Sequence, residues 1–234
     1  MFLGARRLQR DWQVGDGREE AAAQAVLTRA PRGDLDAAIA TLDRFASSEK
    51  LLINIGDEKG ALLDQAVHRA SPRRALELGA YVGYSALRIA RALPAGGHLF
   101  SLELIPANAE IARRIATHAG AADRITFIVG SLGDGGRTLA SLRDTHGFTA
   151  GSLDFVFIDH AKDQYLPDLL RILEAGWLHP ESVVVADNIR FPGAPAYRRY
   201  MDAEEGKRWR TVRHKAHAEY QGRVRDEVWE STLI

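Results

Sequence analysis

One stretch, Ala75-Leu-Glu-Leu-Gly-Ala-Tyr-Val-Gly-Tyr-Ser-Ala-Leu-Arg-Ile-Ala-Arg91, constrains this chain more than any other. It starts as a short apolar run to Leu78 and passes through Gly79 and Gly83. It then becomes helical, with Leu87, Ile89, Ala90 and Leu93 on an apolar face and Pro94 as its stop. Strand, glycine turn, helix is how an α/β sheet builds a nucleotide site: glycine lets backbone approach a ligand, and the helix N-terminus presents free N–H groups. A dinucleotide fold seats its pyrophosphate on G-x-G-x-x-G. Here the pattern is Glu77-x-Gly79-x-x-x-Gly83, one glycine short and with a carboxylate at the strand end. A carboxylate repels a pyrophosphate but pairs with the ammonium of an amino-acid moiety.

The rest of the chain repeats the alternation. Apolar runs over residues 98–103, 125–129, 153–158 and 182–186 read as strands. Helical periodicity covers 19–30, 34–47 (capped by Asp34), 106–118, 137–145 and 164–175, with a further helix from Asp57 as N-cap through Leu62, Leu63, Ala66 and Val67. Strands alternating with helices predict a mostly parallel sheet covered on both faces. From Arg208 the pattern changes: 208–215 and 224–232 read as two strands with no helix between them, hence an antiparallel pair at the sheet edge. Residues 1–18 are mixed and set no element.

Composition narrows the partners. No Pro/Gly/Ser-rich linker divides the 234 residues, so one domain is expected. Lys plus Arg equal Asp plus Glu at 31 each, which argues against nucleic acid as a partner. The absence of cysteine removes disulfides, thiolate zinc sites and cysteine nucleophiles together. No apolar run approaches the ~20 residues of a membrane span, and the N-terminus has no signal-peptide core, so a cytoplasmic protein without a membrane partner is expected.

In open α/β sheets, ligands bind beyond the carboxyl ends of the strands. Those ends carry Glu77 and Gly79, Glu103, Gly130-Ser131, Asp159, and Asp187-Asn188. Five polar endings in register read as one site. Glu103 follows the glycine turn at the distance where an acid accepts hydrogen bonds from ribose hydroxyls. Asp159, Asp187 and Asn188 are all oxygen donors, a hard-cation set suited to Mg²⁺. Singly, either aspartate would read as a helix cap after a strand; beside the glycine turn they read as ligands. Lys162 lies three residues past Asp159 and can face the same cleft, where a neighbouring cation presses a lysine toward its neutral, proton-accepting form. Glu219, between the last two strands, reads on its own as a solvated hairpin charge.

Taken together, several segments resemble the catechol O-methyltransferase family. They are Asn54-x-Gly56-Asp57-x-Lys59-Gly60, Leu76-Glu-Leu-Gly-Ala-Tyr-x-Gly-Tyr-Ser-Ala86, Asp159-His-x-Lys-Asp-x-Tyr-Leu-Pro-Asp168, Ala186-Asp-Asn188, Pro192-Gly-x-Pro195 and Glu219-Tyr220. The resemblance implies a Rossmann-like methyltransferase fold: a seven-stranded, mostly parallel sheet with an antiparallel C-terminal hairpin and helices on both faces. It implies one methyltransferase domain over 1–234, with 1–50 an N-terminal helical segment and 51–234 the core. It implies S-adenosylmethionine as methyl donor, touched by Ile55, Glu77, Gly79, Tyr81, Ser85, Glu103, Ser131, Leu132 and Asp159. It implies Mg²⁺ on Asp159, Asp187 and Asn188, Lys162 as the base, Glu219 on the second hydroxyl of a vicinal diol, and a small catechol-type acceptor.

The departures fall on the pocket walls. Animal members of that family carry tryptophan where Ala161 stands, Ser-Gln where Leu132-Gly133 stand, and another tryptophan in place of Leu51. The segments for donor and metal are intact.

Overall fold

Five apolar runs lie side by side as parallel strands: β1 (Arg74–Leu78), β2 (His98–Glu103), β3 (Ile125–Val129), β4 (Leu153–Ile158) and β5 (Leu178–Ala186). β6 (Trp209–His217) and β7 (Arg225–Leu233) complete the sheet. The computed structural model describes residues 16–220 and 222–234, so most of the mixed N-terminal stretch lies outside the described residues. The strand order is β3-β2-β1-β4-β5-β7-β6, with β7 antiparallel to both β5 and β6. The chain leaves β1 toward β2 and β3, then crosses back to β4 and β5. The strand order therefore reverses between β1 and β4, where a doubly wound sheet opens its crevice.

The helices are α1 (Arg18–Arg29), α2 (Leu35–Ser48), α3 (Gly56–Ala70), α4 (Tyr84–Ala92), α5 (Pro106–His118), α6 (Arg137–Asp144), α7 (Tyr165–Glu174) and α8 (Pro195–Glu204). Strand residues alternate between two buried clusters. Ala75, Leu99, Phe155, Phe157, Val183 and Val185 face the side packed by α1 to α5. Leu76, Leu78, Val156, Ile158, Val184 and Ala186 face the other, packed by α6 to α8. The parallel strands are thus buried on both faces, which is why they read as continuous apolar runs.

Asp34 caps α2, its Oδ1 accepting the Ala37 N–H at 2.8 Å. Asp57 does not cap α3, contrary to expectation: it sits inside the first turn, and the cap position is Ile55. Gly56, with φ +74°, makes the turn into the helix, so the cap falls two residues before Asp57. α8 was not expected, and β5 starts at Leu178 rather than 182. No helix among the described residues is long and apolar enough to cross a membrane.

Candidate active site

The glycine turn after β1 is set by packing before any ligand is considered. Gly79 has φ +101°, and a Cβ there would lie 2.6 Å from the Asp159 carbonyl oxygen. Glycine is what lets the ends of β1 and β4 meet at the crevice. Gly83, at φ +86°, starts α4 against α5; its Cβ would meet that of Ala112 at 3.0 Å. Between them Tyr81 takes φ +49°, donates its N–H to Glu103 Oε2 at 2.7 Å and its phenol to Glu19 Oε1 on α1 at 2.8 Å. Glu103 Oε1 accepts the Ile105 N–H at 2.8 Å. Its carboxylate therefore already orders two backbone segments, and burial holds its pKa above the ordinary range.

Glu77 has no exposed surface. Its Oε2 accepts the Ser101 hydroxyl, while Oε1 has no hydrogen-bond partner. Burial pushes its pKa up to about 7, and nearby Asp159 and Glu103 add to the rise. A buried carboxylate with a free oxygen and no cation is costly unless a ligand brings the positive charge.

Beyond these strand ends opens a cavity of about 430 Å³. Gly79, Tyr81, Ser85, Glu103, Ser131, Leu132, Asp159, Lys162, Asn188 and Glu219 all line it, as do Leu51 and Ala161. The hairpin places Glu219 here rather than in open water. Three expected site residues are not in the wall. Ile55 packs into the core at the start of α3, while Glu77 and Asp187 lie buried behind the lining.

At the other end of the cavity the acids gather. Lys162 Nζ contacts Asp159 Oδ1 at 2.9 Å and the Tyr165 hydroxyl at 2.6 Å. Asn188, in the left-handed region at φ +54°, donates Nδ2 to Glu219 Oε1 at 2.8 Å and to Asp226 Oδ2 at 2.9 Å. Both amide hydrogens are thus committed, and the amide oxygen is left for the cavity side. Asp187 Oδ1 accepts the Asn188 N–H at 2.6 Å.

Two residues of this cluster went unassigned in the sequence. Lys59, from α3, has no exposed surface and pairs with Asp187 at 2.8 Å, with Asp226 at 3.0 Å and with Glu219. Burial alone would favour its neutral form, but the three carboxylates outweigh burial and hold it charged, its pKa above the ordinary range. Asp226 stands at the start of β7. The signal for Lys59 was its position on the apolar stripe of α3 with Leu63, Ala66 and Val67. Asp226 shares a strand face with buried Val228, two residues on.

The donor set fits a divalent cation. Among the described residues, Asp159, Asp187, Glu219 and Asp226 pair with Lys59 and Lys162, four acidic groups against two ammonium groups. Burial raises the Asp187 carboxyl above the carboxylate range, although the Lys59 ammonium beside it acts in the opposite direction. Oxygen atoms of Asp187, Glu219 and Asp226 lie within 4.8 Å of one another, but the Lys59 ammonium already holds that inner position. Of the three expected ligands, Asp159 and Asn188 line the cavity, while Asp187 lies buried behind Asn188.

Comparison with known proteins places this geometry. The family described as O-methyltransferase matches residues 34–225. A protein named Probable O-methyltransferase Rv1703c, from Mycobacterium tuberculosis, is 57% identical over 234 residues, all of both chains. The catechol O-methyltransferase of Bos taurus is 36% identical over 192 residues, covering 82% of this chain and 69% of that one. Among solved structures, an O-methyltransferase of Streptomyces achromogenes in complex with SAM shares the fold at a TM-score of 0.65 and 22% identity, covering 99% of this chain and 95% of that one.

Proposed function

Because the chain belongs to the O-methyltransferase family, we propose that it transfers a methyl group from S-adenosylmethionine to one hydroxyl of a catechol-like vicinal diol, with Mg²⁺ required. The chain would act as one catalytic unit over 1–234. The observation that carries this reading is the excess of acidic over ammonium groups at the cavity end, beside a lysine held at 2.9 Å from Asp159.

The donor half of the cavity lies at the ends of β1 to β3. Glu77, acting from behind Ser85, supplies the negative charge for the donor's ammonium. Glu103 lines the cavity with its carboxylate held by the Tyr81 and Ile105 N–H groups, and is the acid assigned to the ribose hydroxyls. Gly79, Tyr81, Ser131, Leu132 and Ile55 shape the remaining donor contacts.

Asp159, Asp187 and Asn188 hold the cation. A Mg²⁺ ion held by these residues would supply Lewis acidity that favours the ionised diol. Lys162 takes the proton of the attacking hydroxyl, and Glu219 accepts a hydrogen bond from its neighbour. Holding donor and acceptor at near-attack distance accounts for the remainder of the rate.

The test is a methyl-transfer assay on a panel of vicinal diols and matched monophenols, in chelator and after Mg²⁺ is restored. Diols should turn over only with the cation, because Asp159, Asp187 and Asn188 would leave a hard cation open to further oxygen donors, which a vicinal diol could supply. Full turnover in chelator, or equal rates on monophenols, would sink this reading.

A further inference from the structure

Asp226 accepts four hydrogen bonds and has its side chain fully buried. Oδ2 accepts from Lys59 Nζ at 3.0 Å and from Asn188 Nδ2 at 2.9 Å. Oδ1 accepts the backbone N–H groups of Arg190 at 3.1 Å and Phe191 at 2.9 Å, in the wide turn Ile189–Gly193 that follows β5. Lys59 grips Asp187 Oδ2 from the same side at 2.8 Å. Each acidic or amide group at the end of β5 is therefore held from behind by one of these two residues.

The amide of Asn188 is nearly symmetric in shape, so its partners alone decide which end faces the cavity. With both N–H groups on Glu219 and Asp226, the oxygen is the end turned to a cation. We infer that Asp226 and Lys59 are positioning residues for the cation ligands: Asp226 turns the oxygen of Asn188 toward the cation, and Lys59 fixes Asp187 and Asp226 while keeping the inner acid cluster closed to the metal. This rests on the Mg²⁺ reading above. Neither residue belongs to the cavity wall, and neither takes part in proton transfer.

Asp226→Asn preserves shape and tests the point. In either orientation the new amide nitrogen confronts donors, either the two backbone N–H groups or those of Lys59 and Asn188. Mn²⁺ affinity, followed by electron paramagnetic resonance on the full chain, should fall by ~10–100-fold, the usual cost of losing an outer-shell partner. S-adenosylmethionine affinity, measured by calorimetry in chelator, should not change. Wild-type Mn²⁺ affinity in Asp226→Asn overturns the inference. Failure of the wild-type chain itself to bind Mn²⁺ overturns the cation reading and the inference with it. Should Asp226→Asn not fold, Asn188→Asp puts the same question. If ligand charge alone mattered, the added carboxylate would tighten Mn²⁺. If positioning matters, affinity falls, because the new oxygen faces Asp226 and Glu219 and the group turns away. Tighter binding in Asn188→Asp overturns the inference.

Discussion

Glu77 and Asp226 are both buried carboxylates within the same site, and they are stabilised in opposite ways. Among the described residues Glu77 forms no ion pair and has one oxygen without a hydrogen-bond partner, and burial pushes its pKa up to about 7. Burial acts on Asp226 too, but Lys59 and the Phe191 N–H outweigh it and hold its carboxyl below the ordinary range. One half of the site carries its own counter-ion; the other waits for a ligand to bring one. A buried charge left unpaired by the chain marks where a charged ligand belongs, and a buried charge already paired marks framework. The cation end combines the two, with Lys59 and Lys162 balancing half of four carboxylates.

The largest effect expected from breaking this arrangement is at Lys162. Lys162→Ala should lower kcat by ~10²–10⁴-fold, the range for a lost general base. Donor affinity should hold, because the donor half does not use this residue. Steady-state kinetics with one diol, set beside calorimetry of S-adenosylmethionine, separates the two. Near-wild-type kcat at neutral pH would make Lys162 a framework cation like Lys59.

The unpaired half sharpens the contrast through pH. Only ionised Glu77 pairs with an ammonium, and its raised pKa means that it takes a proton as pH falls below about 7. Donor affinity should therefore drop about tenfold from pH 8 to pH 6, following the ionised fraction of one group. The ligand-free fold shows the converse. Glu77 contributes its stability fully below its ordinary 4.5 and loses it as pH rises through about 7. Bound donor should thus raise Tm more at pH 8 than at pH 6. Glu77→Gln should weaken the donor about tenfold, the lower end for a charge-assisted hydrogen bond, and flatten the pH profile. An unchanged pH slope in that variant would show that another group titrates.

The same contrast explains what the sequence made legible. β2, β3 and β4 were readable to the residue because buried parallel strands are continuous apolar runs. The residues proposed for the donor, Glu77, Gly79, Tyr81, Ser85 and Glu103, stand out together because they are close in sequence and follow one strand–turn–helix and its neighbour. The acidic cluster proposed for the cation draws on α3, the ends of β4 and β5, Glu219 and β7. Lys59 lies between charged Asp57-Glu58 and Gly60, and Asp226 sits in Arg225-Asp226-Glu227, so local composition reads both as solvated. Only tertiary contact across 128 to 167 residues makes them interior. α8 escaped notice for a related reason: of its ten residues only Tyr197 and Met201 are buried, too thin a stripe for periodicity to show.

The smallest expected effect lies on the acceptor walls, where neither half fixes the outcome by charge. Ala161 and the half-exposed Leu51 line the cavity, and both are smaller than the tryptophans in the corresponding positions of animal catechol O-methyltransferases. A wall without those two indoles gives up flat contact area, and each aromatic contact is worth ~0.5–1.5 kcal/mol beyond its buried area. Small catechols should bind weakly and be methylated in both orientations, giving mixed meta and para products. The diol requirement should survive, because the cation ligands fix the two oxygens independently of the walls. Bulkier catechols should gain relative to small ones, since the cavity has space where a ring would otherwise stand. Ala161→Trp should reverse the order, tightening KM for a small catechol by a few-fold, as one recovered aromatic contact allows, and hindering a bulky one. The measurement is kcat/KM and the product ratio for one small and one bulky catechol, on wild type and variant. If Ala161→Trp moves neither, the acceptor does not rest against this loop, and the wall must be sought instead around Leu51 and Pro192.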